Sequence, residues 1–172
     1  YKKHYLGINQ TFPSAIALKY FLGRNPKLRM HSEDLIGKKV CEIGFGDGRD
    51  LSLLNHLKMV VSGVEPDAEV VRHTLEKYQK EGLDFDLKAG TNMDTGFKSN
   101  FFDIVYASAS IYYLPSEKFT INDSLREANR ITKDAGWLFA TFARYDSHVA
   151  KNAQVIDENT LILEDPYYGF RK

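Results

Sequence analysis

The stretch Val40-Cys41-Glu42-Ile43-Gly44-Phe45-Gly46-Asp47-Gly48-Arg49-Asp50 constrains this chain more than any other. An apolar run enters three glycines at alternate positions and leaves through Asp50-Leu51-Ser52-Leu53-Leu54. That pattern reads as strand, tight turn and helix start. Glycine takes positive φ at no steric cost and lets a ligand approach the backbone. The residues on either side of the turn decide which fold and which ligand it serves.

Further strand and helix patterns alternate on both sides of it. Strands are predicted over Lys38–Ile43, Met59–Val64, Asp84–Ala89, Phe102–Ala107 and Trp137–Ala143. Met59–Val64 is apolar on both faces, as a buried parallel strand should be, whereas Asp84–Ala89 alternates and suits a sheet edge. Helices are predicted over Ser14–Leu22, Arg49–His56, Ala68–Lys80 and Ser116–Thr132, with Pro13 opening the first and Pro66-Asp67 capping the third. A turn or helical piece is expected around Ser32 to Ile36, and a hairpin over Ala153–Ile156 and Thr160–Leu163. Repeated βα units imply a doubly wound, Rossmann-like α/β fold: a mainly parallel sheet with helices on both faces. The expected organisation is an N-terminal helical extension over 1–37, a core over 38–144 and a C-terminal segment over 145–172. In such a sheet, ligands bind beyond the carboxyl ends of the strands.

Composition narrows the partners. Lys+Arg and Asp+Glu both number 23, so no basic excess points to nucleic acid. Cys41 is the single cysteine and lies in the predicted central strand, so inert packing is its expected role. His4, His31, His56, His73 and His148 show no metal-ligand spacing, and no metal is expected. No apolar run reaches membrane-spanning length and no signal segment is recognised, so a cytoplasmic protein without membrane contact is expected. The start at Tyr1 and the ending at Lys172 in mid-pattern suggest a trimmed chain.

Three ligand families use a glycine-rich turn between strand and helix. The phosphate-cradling loop of nucleotide hydrolases needs Gly-Lys-Ser/Thr, but Gly48 is followed by Arg49-Asp50. The dinucleotide fingerprint needs Gly-x-Gly-x-x-Gly, whereas the third glycine here arrives one residue early. Asp47 and Asp50 are expected to add negative charge where a pyrophosphate would bind. The remaining family binds a nucleoside without phosphates.

Glu42-x-Gly44-x-Gly46-x-Gly48 resembles the first motif of class I S-adenosylmethionine-dependent methyltransferases. Val64-Glu65-Pro66-Asp67 resembles the second. Gly90 to Asp94, Asn100 to Val105 and Leu125 to Gly136 resemble the later loop, strand and helix of the small-molecule branch. Order and spacing together carry the resemblance. It implies S-adenosylmethionine as cofactor, S-adenosylhomocysteine as product and a small-molecule acceptor. It also implies that the C-terminus is short relative to the family.

The resemblance assigns roles residue by residue. Glu65, 21 residues after Gly44, would accept hydrogen bonds from ribose hydroxyls; alternatively it stabilises the start of the helix at Ala68. Pro66 follows it in the same motif. Gly44, Gly46 and Gly48 would admit the ligand's amino-acid part, and Glu42 would meet its ammonium or accept local backbone bonds. Thr91 and Asn92 are candidates for the adenine edge, with Met93 on the ring or as loop filler. The family usually has Asp where Thr91 stands. Ala107 and Ser108 would line the floor between cofactor and acceptor. Tyr112, Tyr113 and Tyr5 are substrate candidates, with half-buried packing and a frayed terminus as the alternatives; His4 would join Tyr5 in a lid. Tyr167, Tyr168, Phe170 and Arg171 would cover the substrate side or lead into a missing part of the sheet. Methyl transfer needs alignment more than acid–base help, and no catalytic side chain is singled out. A non-catalytic nucleoside-binding module and an NAD-dependent oxidoreductase are the competing readings.

Overall fold

The computed structural model describes residues 12–23, 31–114, 116, 118–144, 146–147, 150, 153–157 and 160–162. Eleven elements appear in the order α1 (Ala15–Phe21), β1 (Lys39–Ile43), α2 (Arg49–His56), β2 (Val60–Glu65), α3 (Ala68–Lys80), β3 (Asp86–Ala89), β4 (Phe102–Ala107), α4 (Ile121–Ile131), β5 (Thr132–Ala140), β6 (Gln154–Asp157) and β7 (Thr160–Ile162), with a 3-10 turn at Ser32–Leu35 before β1.

Five strands form one sheet in the order β3-β2-β1-β4-β5, and every neighbouring pair is parallel. The order reverses beside β1, so the crevice for a ligand opens between the ends of β1 and β4. The buried residues divide by strand parity. Val40, Ile104, Tyr106 and Phe139 face α1, α2 and α3 through Ala17, Phe21, Leu51, Leu54, Val71 and Tyr78. Cys41, Ile43, Val105 and Ala107 face α4 through Ala128 and Ile131. The predicted doubly wound sheet is therefore the observed one, and Cys41 is fully buried in it. No helix among the described residues is long and apolar enough to cross a membrane, and no cluster of potential metal ligands occurs among them.

Two element starts differ clearly from the sequence expectation. The predicted helix over Ser116–Thr132 begins only at Ile121, because Thr120 and Asp123 form a capping box that sets its first turn. Phe119 lies before that turn and is exposed. The last parallel strand starts at Thr132 rather than Trp137: Asp134-Ala135-Gly136 is a bulge within β5, where the pairing with β4 shifts and Ala135 takes φ of 61°. Trp137 and Leu138 on this outer strand are exposed. The hairpin of β6 and β7 is a separate antiparallel pair.

α1 belongs to the same core as the sheet. Ser14 is its N-cap, its hydroxyl accepting the Ala17 N–H at 3.1 Å. Tyr20 stacks on Phe139 with centroids 5.1 Å apart, and Phe21 meets the edge of Tyr106 at 5.3 Å. Open clefts of about 480 and 440 Å³ flank the bulge of β5. They lie at the amino ends of the strands, opposite the end where such sheets bind ligands.

Candidate active site at the glycine turn

The turn between β1 and α2 is held from behind by one face of α3. Thr74 and Tyr78 donate hydroxyl bonds to the carbonyls of Gly46 and Gly48 at 3.3 and 2.7 Å, and Lys77 reaches that of Asp47 at 3.4 Å. Burial pushes the Tyr78 phenol up, so it stays a neutral donor. Gly48 is glycine for packing as well as conformation. It has φ of 76°, and a Cβ there would lie 2.7 Å from Thr74 Cγ2. At Gly44 an added Cβ would lie 2.5 Å from Ser110 Cβ. The Ser110 hydroxyl closes this contact by donating to the Ile43 carbonyl.

The glycine N–H groups of the turn already have acceptors. Gly44 donates to the Val64 carbonyl at 2.7 Å, Gly46 to Glu65 Oε2 at 3.1 Å, and Gly48 to the Phe45 carbonyl at 2.9 Å. A phosphate site presents such donors to its ligand; these three are used within the protein.

Three carboxylates converge on the turn from different elements. Glu65 ends β2, is fully buried, and binds the Gly46 N–H. Its bond to the Asp67 N–H is long, at 3.5 Å, and the α3 N-terminus is instead capped by Asp67, which accepts from Glu69 and Val70. Glu42 stands on the middle of the sheet, paired with Tyr106 across β1 and β4. Its Oε2 is buried and has no hydrogen-bond partner among the described residues. Burial foremost, and then the charges of Asp50 and Asp47, push its carboxyl well above the usual range. Asp50, in the first turn of α2, has partners that the sequence reading did not supply. It accepts from the Ser14 N–H at 2.6 Å, the Ser14 hydroxyl at 2.7 Å and the Tyr106 hydroxyl at 3.1 Å.

The later loops contribute unequally. Thr91 Oγ1 accepts the N–H groups of Met93 and Asp94 at 3.3 and 3.1 Å, which shapes the loop after β3. Asn92 has a structural task in the same loop. Both its side-chain amide hydrogens go to carbonyls, of Ile111 at 2.9 Å and Tyr113 at 2.8 Å. It ties this loop to the segment after β4. Met93 is half-buried and Pro66 exposed. Ala107 is fully buried at the end of β4, with Ser108 half-buried after it. Tyr112 and Tyr113 are half-buried, their rings 4.7 Å apart, and Tyr112 packs on the cluster that holds Ala107. Tyr5, His4, Tyr167, Tyr168, Phe170 and Arg171 lie outside the described residues.

Sequence reasoning missed the clamp of Glu127, on α4. Its Oε1 accepts the Thr95 N–H at 2.9 Å and the Thr95 hydroxyl at 2.6 Å, and Arg130 holds both its oxygens. Arg130 also binds the Phe97 carbonyl at 2.8 Å. The available signal was the Glu-x-x-Arg spacing between Leu125 and Gly136, which places both side chains on one helical face.

A parallel sheet reversing beside β1, a turn whose three glycine N–H groups are taken up within the protein, and acids in the last residues of β1 and β2 define a class: Rossmann-like α/β domains. The family follows from comparison. The model described as "Methyltransferase domain" matches residues 41–140, more than half of the sequence, and the chain belongs to this family, as class I S-adenosylmethionine-dependent methyltransferases do. No curated protein gives a significant match. Solved structures share the fold. The YcgJ protein of Bacillus subtilis is 23% identical with a TM-score of 0.53, over 64% of this chain and 47% of that one. A geranyl diphosphate methyltransferase in complex with SAM is 18% identical with a TM-score of 0.53, over 59% and 40%. The [4+2]-cyclase SpnF is 23% identical with a TM-score of 0.54, over 60% and 38%. The chain thus spans about half the length or less of these structures.

Proposed function

We propose that the whole protein is an S-adenosylmethionine-dependent methyltransferase acting on a small molecule, and that Glu42, the turn at Gly44–Gly48 and Glu65 hold the cofactor. The carrying observation is Glu42 Oε2, a buried carboxylate oxygen without a partner among the described residues. Such a group is costly unless a cation or donor meets it. An ammonium is what the amino-acid end of this cofactor brings, so the residues present fit it.

When bound, the cofactor supplies a methyl group on a sulfonium, already activated for displacement. The protein's part is positioning. Glu65, anchored by the Gly46 N–H, has a carboxylate that fits paired ribose hydroxyls. Ala107 leaves room at the floor. Thr91 and Met93 line the adenine side, with Asn92 acting through the loop it ties. Tyr112 and Tyr113 flank the acceptor side.

A second reading keeps the site and drops the transfer. It draws on the fold match to a [4+2]-cyclase, which ties this architecture to other chemistry as well. Methyl-labelled S-adenosylmethionine separates the two when incubated with the purified protein and a broad panel of small metabolites. Label in an acceptor, together with S-adenosylhomocysteine, supports the methyltransferase. Binding without transfer to any member supports the module.

A further inference from the structure

Asp50 has a task that the cofactor reading does not use. It is 3% exposed, and three donors surround its carboxylate: the N–H and hydroxyl of Ser14, and the hydroxyl of Tyr106. Ser14 is the cap of α1, 36 residues away in sequence. Tyr106 pairs in register with Glu42, so both side chains rise from the same face of the sheet. The ring of Tyr106 is in turn covered by Tyr20 and Phe21 of α1. Glu42, Asp50 and Tyr106 therefore lie together on one buried face of the sheet, which α1 covers.

We propose that Asp50 is a positioning residue that makes α1 part of the cofactor site: it clasps the start of α1 while standing beside Glu42, so that docking of α1 and binding of an ammonium at Glu42 reinforce each other. A cation at Glu42 relieves the repulsion between two buried carboxylates. With that repulsion relieved, Asp50 keeps its place on the Ser14 N–H and hydroxyl, and α1 stays docked. By linkage, a held α1 then favours the cation equally. The inference rests on the cofactor reading above and adds to it the coupling of α1.

The groups facing Glu42 are few. Asp50 and Arg49 come from α2, Asp47 from the turn and Glu65 from β2; Tyr78 of α3, Tyr106 of β4 and neighbouring Cys41 also feel its charge. Lys19 is the charged side chain of α1 and is exposed. Burial is the largest influence raising Glu42, and Asp50 is the largest charge doing so. Removing the Asp50 charge should therefore move the Glu42 titration toward acid.

The test compares wild type, Asp50→Asn and Ser14→Ala, with S-adenosylhomocysteine and adenosine as probes; adenosine lacks the ammonium. Calorimetry across pH and amide exchange over Leu18–Leu22 are the readouts. In the wild type, S-adenosylhomocysteine should slow α1 exchange and adenosine should not. Asp50→Asn should weaken S-adenosylhomocysteine about tenfold, within the usual range of coupling between sites, and shift its pH midpoint to lower pH. Ser14→Ala, which keeps the charge, should loosen α1 and leave the midpoint in place. A purely structural role for Asp50 moves exchange in both variants and the midpoint in neither, which overturns the inference. If wild type binds neither probe, the cofactor reading itself fails and this inference falls with it. If wild type binds and Asp50→Asn matches it, this inference alone falls.

Discussion

Two buried glutamates on opposite faces of the sheet behave in opposite ways. Glu127 is 7% exposed. Burial pushes its carboxyl up, but Arg130 and the hydroxyl and N–H of Thr95 outweigh it and hold the group below the usual range. Glu42 is 4% exposed, yet no donor meets its Oε2 among the described residues, and burial with Asp50 and Asp47 raises it well above that range. Burial is similar; the partners differ. Glu127 fastens the loop at Thr95–Phe97 to α4 and belongs to the fold. Glu42 stands at the mouth of the glycine turn without such donors, which is why we propose it for the cofactor site. A buried carboxylate with its donors in place is architecture, and one without them awaits a ligand.

The largest test of this contrast is Glu127→Ala. It strips Thr95 of its acceptor and Arg130 of its partner, and should cost about 3 kcal/mol in urea unfolding, toward the low end for broken buried pairs because Arg130 is partly exposed. The sign of its pH dependence follows from the lowered folded-state value. The wild type's gain is full above the unfolded carboxylate range and is lost as pH falls through the folded value. The variant's deficit should therefore shrink in acid; a deficit independent of pH would break the assignment.

Next in size is Glu65→Ala. Losing a charge-assisted pair should weaken S-adenosylhomocysteine by ~1–3 kcal/mol. Because Glu65 also takes the Gly46 N–H, a melting curve must accompany the titration. An unchanged dissociation constant removes Glu65 from the site.

The smallest effect is the most telling. Glu42→Gln keeps the shape and removes the charge. A raised acid adds stability below the unfolded value and loses it as pH rises through the folded value. At neutral pH the wild type therefore bears a penalty, and the variant should be more stable by roughly 1 kcal/mol while binding S-adenosylhomocysteine less well. Thermal melts at pH 4 and pH 7.5 check it. A variant less stable than wild type at pH 7.5 would make Glu42 a structural acid like Glu127.

The alternation of strands and helices was legible because each element is specified locally. Arg49–His56 and Ala68–Lys80 fall where periodicity and caps put them. The turn was legible through Gly44, Gly46 and Gly48, which all take positive φ. What escaped was pairing at a distance. Asp50 is an acid in a glycine turn until Ser14 is brought to it, and Asn92 is a free amide until Ile111 and Tyr113 arrive. A single sequence holds donors and acceptors but does not say which will meet. The bulge at Asp134–Gly136 failed for a related reason: its turn-forming residues are overridden by pairing with β4.

Titration calorimetry of the wild-type chain with S-adenosylmethionine, S-adenosylhomocysteine and NAD tests the central claim most directly. The account predicts one-to-one binding of the first two, with affinity falling as Glu42 is protonated, and no binding of NAD. Binding of NAD without either S-adenosyl compound would contradict it.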